Sequence, residues 1–132
     1  MMGLTRKGEY AIRGIVYLAQ QDPKKLLLIG EIAAAVDVPQ SFLAKIFQSF
    51  TKVGLIRSSR GAGGGFALAK PATDITLLTI VEAVEGPIVP NICVGDPGVC
   101  ELSSGCQVHP VWCRVQAQVK QVLSSVTLNQ LT

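Results

Sequence analysis

Four cysteines and one histidine form the most reactive set in this 132-residue chain, and all five fall in its second half. Cys93, Cys100 and Cys106 are separated by six and then five residues in a stretch rich in glycine and proline. His109, the only histidine, follows Cys106 by three positions, and Cys113 lies four residues further on. Thiolates and an imidazole are soft ligands that suit an iron–sulfur cluster or zinc. Structural zinc favours a closer cysteine pair, about two to four residues apart, which this stretch does not offer. Wider spacing suits a cluster, whose bridging sulfides spread the attachment points. A disulfide framework is disfavoured because no apolar signal segment opens the chain and hydrophobic residues make up 48% of it. Cys113, one helical turn beyond His109, reads as a buried helix residue facing a partner rather than as a ligand or redox thiol. No Ser or Cys nucleophile arrangement surrounds the lone histidine, so the chain is read as a non-enzyme.

A second set of residues has the chemistry of base and phosphate recognition. Pro39 opens a helical pattern whose first turns carry Gln40, Ser41, Phe42 and Lys45. Gln bonds adenine bidentately, Ser adapts to either base, and Lys reaches guanine or phosphate. Phe42 suits either a thymine methyl or the core. Further on, Arg60, Gly61, Gly63 and Gly64 lie between two short apolar strands. Glycines there let the backbone turn with positive φ and approach phosphates, while Arg60 suits a narrow minor groove. A nucleotide-binding glycine loop is excluded by context, since no helix and no Lys-Ser/Thr pair follows.

The elements that must carry these sets can be read from periodicity. Thr5 caps a helix over residues 5–20 with apolar residues on two faces, so it is contacted on both sides. A short helix over 30–35, the turn Val36-Asp37-Val38 and a helix from Pro39 to Gly54 form a helix-turn-helix. Strands at 55–58 and 66–69 make a hairpin wing, and a fourth helix covers 78–85. Residues 86–107 read as loop, and a long helix over 109–125 carries an apolar stripe of Val108, Val111, Trp112, Val115, Val119, Val122 and Leu123. The expected fold is mainly α with a small β-hairpin: a winged helix-turn-helix over residues 1–72, then a cysteine-bearing loop and long helix over 73–132 in one compact unit.

Charge divides along the same line. Residues 1–70 hold ten Lys/Arg against four Asp/Glu, and residues 71–132 hold two against five, so halves of +6 and −3 give the net +3. A basic half suits a polyanionic partner. The apolar runs fall far short of the ~20 residues of a membrane span, and a cytoplasmic protein is expected.

Several stretches together resemble the IscR-type family of winged-helix regulators. They are Leu4-Thr5-Arg6-Lys7-Gly8-Glu9-Tyr10-Ala11, Ser41-Phe42-Leu43, Val53-Gly54-Leu55-Ile56, Arg60 through Phe66, Ile75-Thr76-Leu77 and Val81-Glu82-Ala83-Val84-Glu85-Gly86. The resemblance covers nearly the whole chain. It implies a homodimer with crossing C-terminal helices, the first helix in the interface, and a pseudo-palindromic double-stranded DNA operator, with repression the expected mode. It also implies that Cys93, Cys100, Cys106 and His109 hold a 2Fe–2S cluster, although the first gap is one residue longer than the commonest pattern. Nitric-oxide-sensing relatives use a carboxylate from the partner's first helix to complete a 4Fe–4S cluster, which makes Glu9 the alternative fourth ligand. Ala44 stands where some members carry a longer polar side chain, implying looser base choice there. Rival readings are a cluster-free or zinc-holding regulator controlled by a partner protein, and an electron-transfer protein, which leaves the wing and basic half without purpose.

Overall fold

The computed structural model describes residues 4–61, 63–89 and 107–132. Helix α1 spans Arg6–Ala19, and its N-cap Thr5 accepts a hydrogen bond from the Gly8 amide at 3.3 Å. Ala11, Ile15 and Leu18 are buried along one face, while Ile12, Val16 and Ala19 pack against the core from the other. The two-faced pattern in the sequence therefore corresponds to a helix wedged among its neighbours.

Helix α2 (Ile29–Val36) stops at Asp37, which adopts the left-handed conformation at φ 55° and ψ 54°. The chain turns through buried Val38 into α3 (Gln40–Lys52). Pro39 is the N-cap rather than the first helical residue: its ψ of 131° is extended, and its carbonyl accepts from the amides of Phe42 and Leu43. Leu43, Ile46, Phe47 and Phe50 are fully buried along one side of α3. That leaves the Gln40-Ser41-Phe42 turn and Lys45 on the exposed side.

Strands β1 (Ile56–Ser59) and β2 (Gly65–Leu68) pair antiparallel, with Ile56 opposite Leu68 and Ser59 opposite Gly65. β1 sits one residue later than the sequence suggests and β2 one residue earlier, because the ladder closes directly on the glycine tip. Leu27 adds a bridge to Phe66, with main-chain hydrogen bonds of 3.0 and 2.7 Å, which periodicity did not indicate. Phe66 in turn meets Phe47 edge-on at 5.3 Å, so the base of the wing is locked into the core.

A 3-10 turn at Ala72–Asp74 leads to α4 (Leu77–Glu85), whose N-cap Thr76 accepts from the Thr79 amide at 3.2 Å. Helix α5 (His109–Ser124) packs against α4, yet none of its residues is buried. The chain then returns. Thr127 bridges to Thr76, Leu128 donates its amide to Ile75 at 2.8 Å, and the Leu128 side chain is fully buried. This closing 3-10 turn, Leu128–Leu131, was not expected from the sequence. Among the described residues the buried core is wholly apolar, and no helix is long and apolar enough to cross a membrane.

Candidate nucleic-acid interface and metal ligands

The exposed end of α3 is built by subtraction. Its apolar side is consumed by the core, so Gln40, Ser41, Phe42 and Lys45 face outward on its first two turns. Phe42 is 57% exposed, which removes it from the core. The Gln40 side-chain amide lies over Gly30 at the start of α2, within van der Waals reach of where a Cβ would sit. Four main-chain N–H groups at such a helix start lack intrahelical partners, and their partial positive charge favours anions.

The wing tip is made of exposed residues from Arg57 through Gly61 and at Gly63. Gly61 and Gly63 have φ of 91° and 75°, conformations that other residues rarely adopt, and a Gly64-to-Gly61 hydrogen bond of 2.9 Å closes the turn. Arg60 stands at the base of this turn with its side chain in solvent. Arg57 and Ser58 on β1 are also exposed, giving the wing a second guanidinium that the sequence reading did not select. The pattern of alternation could have found Arg57, which follows the buried Ile56 by one position.

Behind α3, two residues on α1 support it. The Tyr10 ring meets Phe42 edge-on at 6.4 Å, and the Arg13 guanidinium lies 5.2 Å from the Tyr10 ring centre. Arg13 also donates to the Val36 carbonyl at 3.3 Å.

Among the proposed metal ligands, Cys93, Cys100 and Cys106 lie outside the described residues. His109 opens α5, with Nε2 3.5 Å from the Cys113 sulfur and Nδ1 buried without a hydrogen-bond partner among the described residues. A buried imidazole nitrogen left unpaired is costly in a protein that has no other use for it, and it fits a ligand role. Cys113, expected to be buried, is exposed on the single chain. Glu9 is exposed on the first turn of α1. Among the described residues no three His, Cys, Asp or Glu side chains converge as a metal site.

Comparison with known proteins accounts for this architecture. The Rrf2 family model, described as an iron-dependent transcriptional regulator, matches residues 4–132. The HTH-type transcriptional regulator IscR of Vibrio atlanticus (strain LGP32) is 30% identical over 130 residues, covering 98% of this chain and 75% of the relative. Among solved structures, the global cysteine regulator CymR of B. subtilis superposes with a TM-score of 0.79 at 29% identity, covering 99% of this chain and 96% of that one. IscR of T. potens superposes with a TM-score of 0.73 at 26% identity, covering 96% and 83%. These relatives are regulators and not enzymes, and the winged helix-turn-helix with its polar helix start is the part of the fold suited to DNA. The chain belongs to the Rrf2 family of DNA-binding transcriptional regulators.

Proposed function

We propose that the chain acts as a homodimer, probing a pseudo-palindromic operator with two copies of α3 and the wing, and that an iron–sulfur cluster governs its hold on DNA. The reading gives Pro39 the role of aiming α3 and Gln40, Ser41, Phe42 and Lys45 the base edges. Arg60 takes the minor groove, and Gly61, Gly63 and Gly64 let the wing backbone approach phosphates. The dimer is supported by α5, a 16-residue helix with no buried residue that, with Val108 at its N-cap, exposes Val111, Val119 and Val122 at 37–61%. Valines at that exposure on one helix suit burial against a second copy.

For the cluster, the carrying observation is the buried, unpaired Nδ1 of His109 beside the cysteine-bearing segment. Cys93, Cys100, Cys106 and His109 would hold a 2Fe–2S cluster, which supplies one-electron chemistry and a labile bond sensitive to oxidation or to nitric oxide. The exposure of Glu9 keeps a 4Fe–4S cluster completed from the partner as the second reading. This chain's own part is to present the thiolates and hold His109 oriented, with repression as the output.

Anaerobic purification with iron and sulfide counts tests this directly. Two irons per chain, lost in His109→Ala, are expected; four irons, lost in Glu9→Gln, would favour the second reading. Zinc alone, or equal DNA affinity with and without metal at fixed salt, would overturn cluster control while leaving the DNA-binding unit intact.

A further inference from the structure

Beyond its apolar packing in the core, helix α1 meets the exposed side of the recognition unit through two residues, Tyr10 and Arg13. Arg13 donates to the Val36 carbonyl at the end of α2, immediately before the turn. The same guanidinium lies over the Tyr10 ring at 5.2 Å, and that ring meets Phe42 edge-on at 6.4 Å. One connected group thus holds both sides of the helix-turn-helix: the outgoing end of α2 and the incoming turn of α3. At its other end, α1 is tied to α4. The Glu85 carboxylate accepts from the Thr5 amide at 3.2 Å and from the Thr5 hydroxyl. Gly8 makes room for it, since a Cβ there would lie 2.5 Å from the Glu85 oxygen.

We propose that Tyr10 and Arg13 are positioning residues for DNA recognition, fixing the angle of α3 against α1 while Glu85 fixes the foot of α1. Phe42 fits this role better than a purely DNA-facing one, because one edge of its ring is engaged by Tyr10 while over half of the residue remains open. A cation–π contact combined with an edge-to-face pair holds a ring in one place more firmly than either does alone. An angle held in this way changes sequence discrimination more than general DNA affinity, which depends on phosphate charge pairs. The proposal rests on α3 being the recognition helix, and the experiment separates the two.

The full-length wild-type protein is used to select a tight-binding duplex from a random-sequence pool. Variants are then titrated, at one salt concentration, against that duplex and against an unselected duplex of equal length. Tyr10→Leu and Arg13→Gln should each weaken binding to the selected duplex by about three- to tenfold while unselected DNA changes less than about twofold. Tyr10→Phe should restore discrimination, and Tyr10→Leu should add nothing in a Phe42→Leu background. Because Arg13 is exposed, its variant keeps the test valid if Tyr10→Leu lowers the melting temperature. Loss of discrimination in Lys45→Ala without any in the Tyr10 and Arg13 variants would overturn the positioning role alone. Full discrimination in Lys45→Ala and Gln40→Ala would overturn the recognition-helix reading and the positioning role with it. Multiplicative effects of Tyr10→Leu and Phe42→Leu would also refute it.

Discussion

The base of the wing offers a sharp physical test, because neighbouring glycines are needed there for different reasons. Gly65 has φ of 143°, and a Cβ added to it would lie 2.5 Å from the Leu27 carbonyl oxygen and 2.7 Å from its carbon. Gly61 has φ of 91°, but a Cβ there meets nothing within 4 Å. Gly61→Ala therefore costs backbone strain alone, about 1–2 kcal/mol, and it falls at an exposed tip. Gly65→Ala carries strain of about 1–3 kcal/mol and also pushes Leu27 away. That breaks the two Leu27–Phe66 hydrogen bonds, each worth roughly 0.5–1.5 kcal/mol. The expected total is about 2–6 kcal/mol, against a whole-domain stability of roughly 5–15 kcal/mol. Phe66 would lose its alignment on Phe47, so the damage reaches the core rather than staying in the loop. At this chain length a kcal/mol moves Tm by roughly 3–5 °C, so Gly65→Ala should lower Tm by about 10 °C or more and Gly61→Ala by less than half of that. Melting followed by circular dichroism at one protein concentration checks both, since the proposed dimerisation would make Tm concentration-dependent. Equal melting of the two variants would refute the claim that Leu27 anchors the wing.

Two further outcomes follow from exposed side chains. Arg60→Ala should weaken binding to a selected duplex by about 1–3 kcal/mol and reduce the salt slope by about one ion, measured by titration at several salt concentrations; unchanged affinity would place Arg60 outside the interface. Val122→Asp, at a residue 61% exposed on α5, should leave the fold intact but put a charge into the proposed dimer seam, shifting sedimentation from dimer to monomer; an unaltered dimer would move the interface elsewhere.

The helices were legible because each carries a local physical signal: Thr5 as cap, Pro39 before a polar turn, and apolar residues at helical spacing on α3. Pro39 fell one position outside the helix, since its extended ψ leaves only its carbonyl in the helical ladder. Less visible was everything that depends on non-local pairing. Leu27 stands in an apolar run with no alternation, so nothing in its neighbours announces a bridge to Phe66. Leu128 looks like the end of a polar tail and is instead a fully buried core residue. Tyr10 and Arg13 escaped for a related reason, because α1 reads as a packing helix and their value lies in what α2 and α3 bring beside them. The cysteine set was legible in composition and spacing, but its three loop members lie outside the described residues, so only His109 gives it structural support.

How the two halves of the chain communicate is constrained by where they are joined. The C-terminal end of the acidic half returns to the core through the buried Leu128, while the Thr76–Thr127 bridge ties it to the start of α4. Nearer the cysteines, Gln116 on α5 donates to the Ile88 carbonyl at 2.8 Å, so residues 88 and 116 are held together. This contact ties the chain just after α4 to the middle of α5. From α4, besides the apolar packing of Ile80, Ala83 and Val84, a hydrogen-bonded connection to the DNA-binding half runs through Glu85 and Thr5 at the start of α1. Glu85 is therefore the polar link through which the proposed cluster control can be tested. On the proposed cluster-holding dimer, Glu85→Ala is expected to leave iron content and dimer unchanged while the affinity difference between loaded and metal-free protein shrinks from a coupling of about 1–3 kcal/mol toward zero. The same difference persisting in Glu85→Ala would refute a route through Glu85 and point to the proposed α5 seam instead.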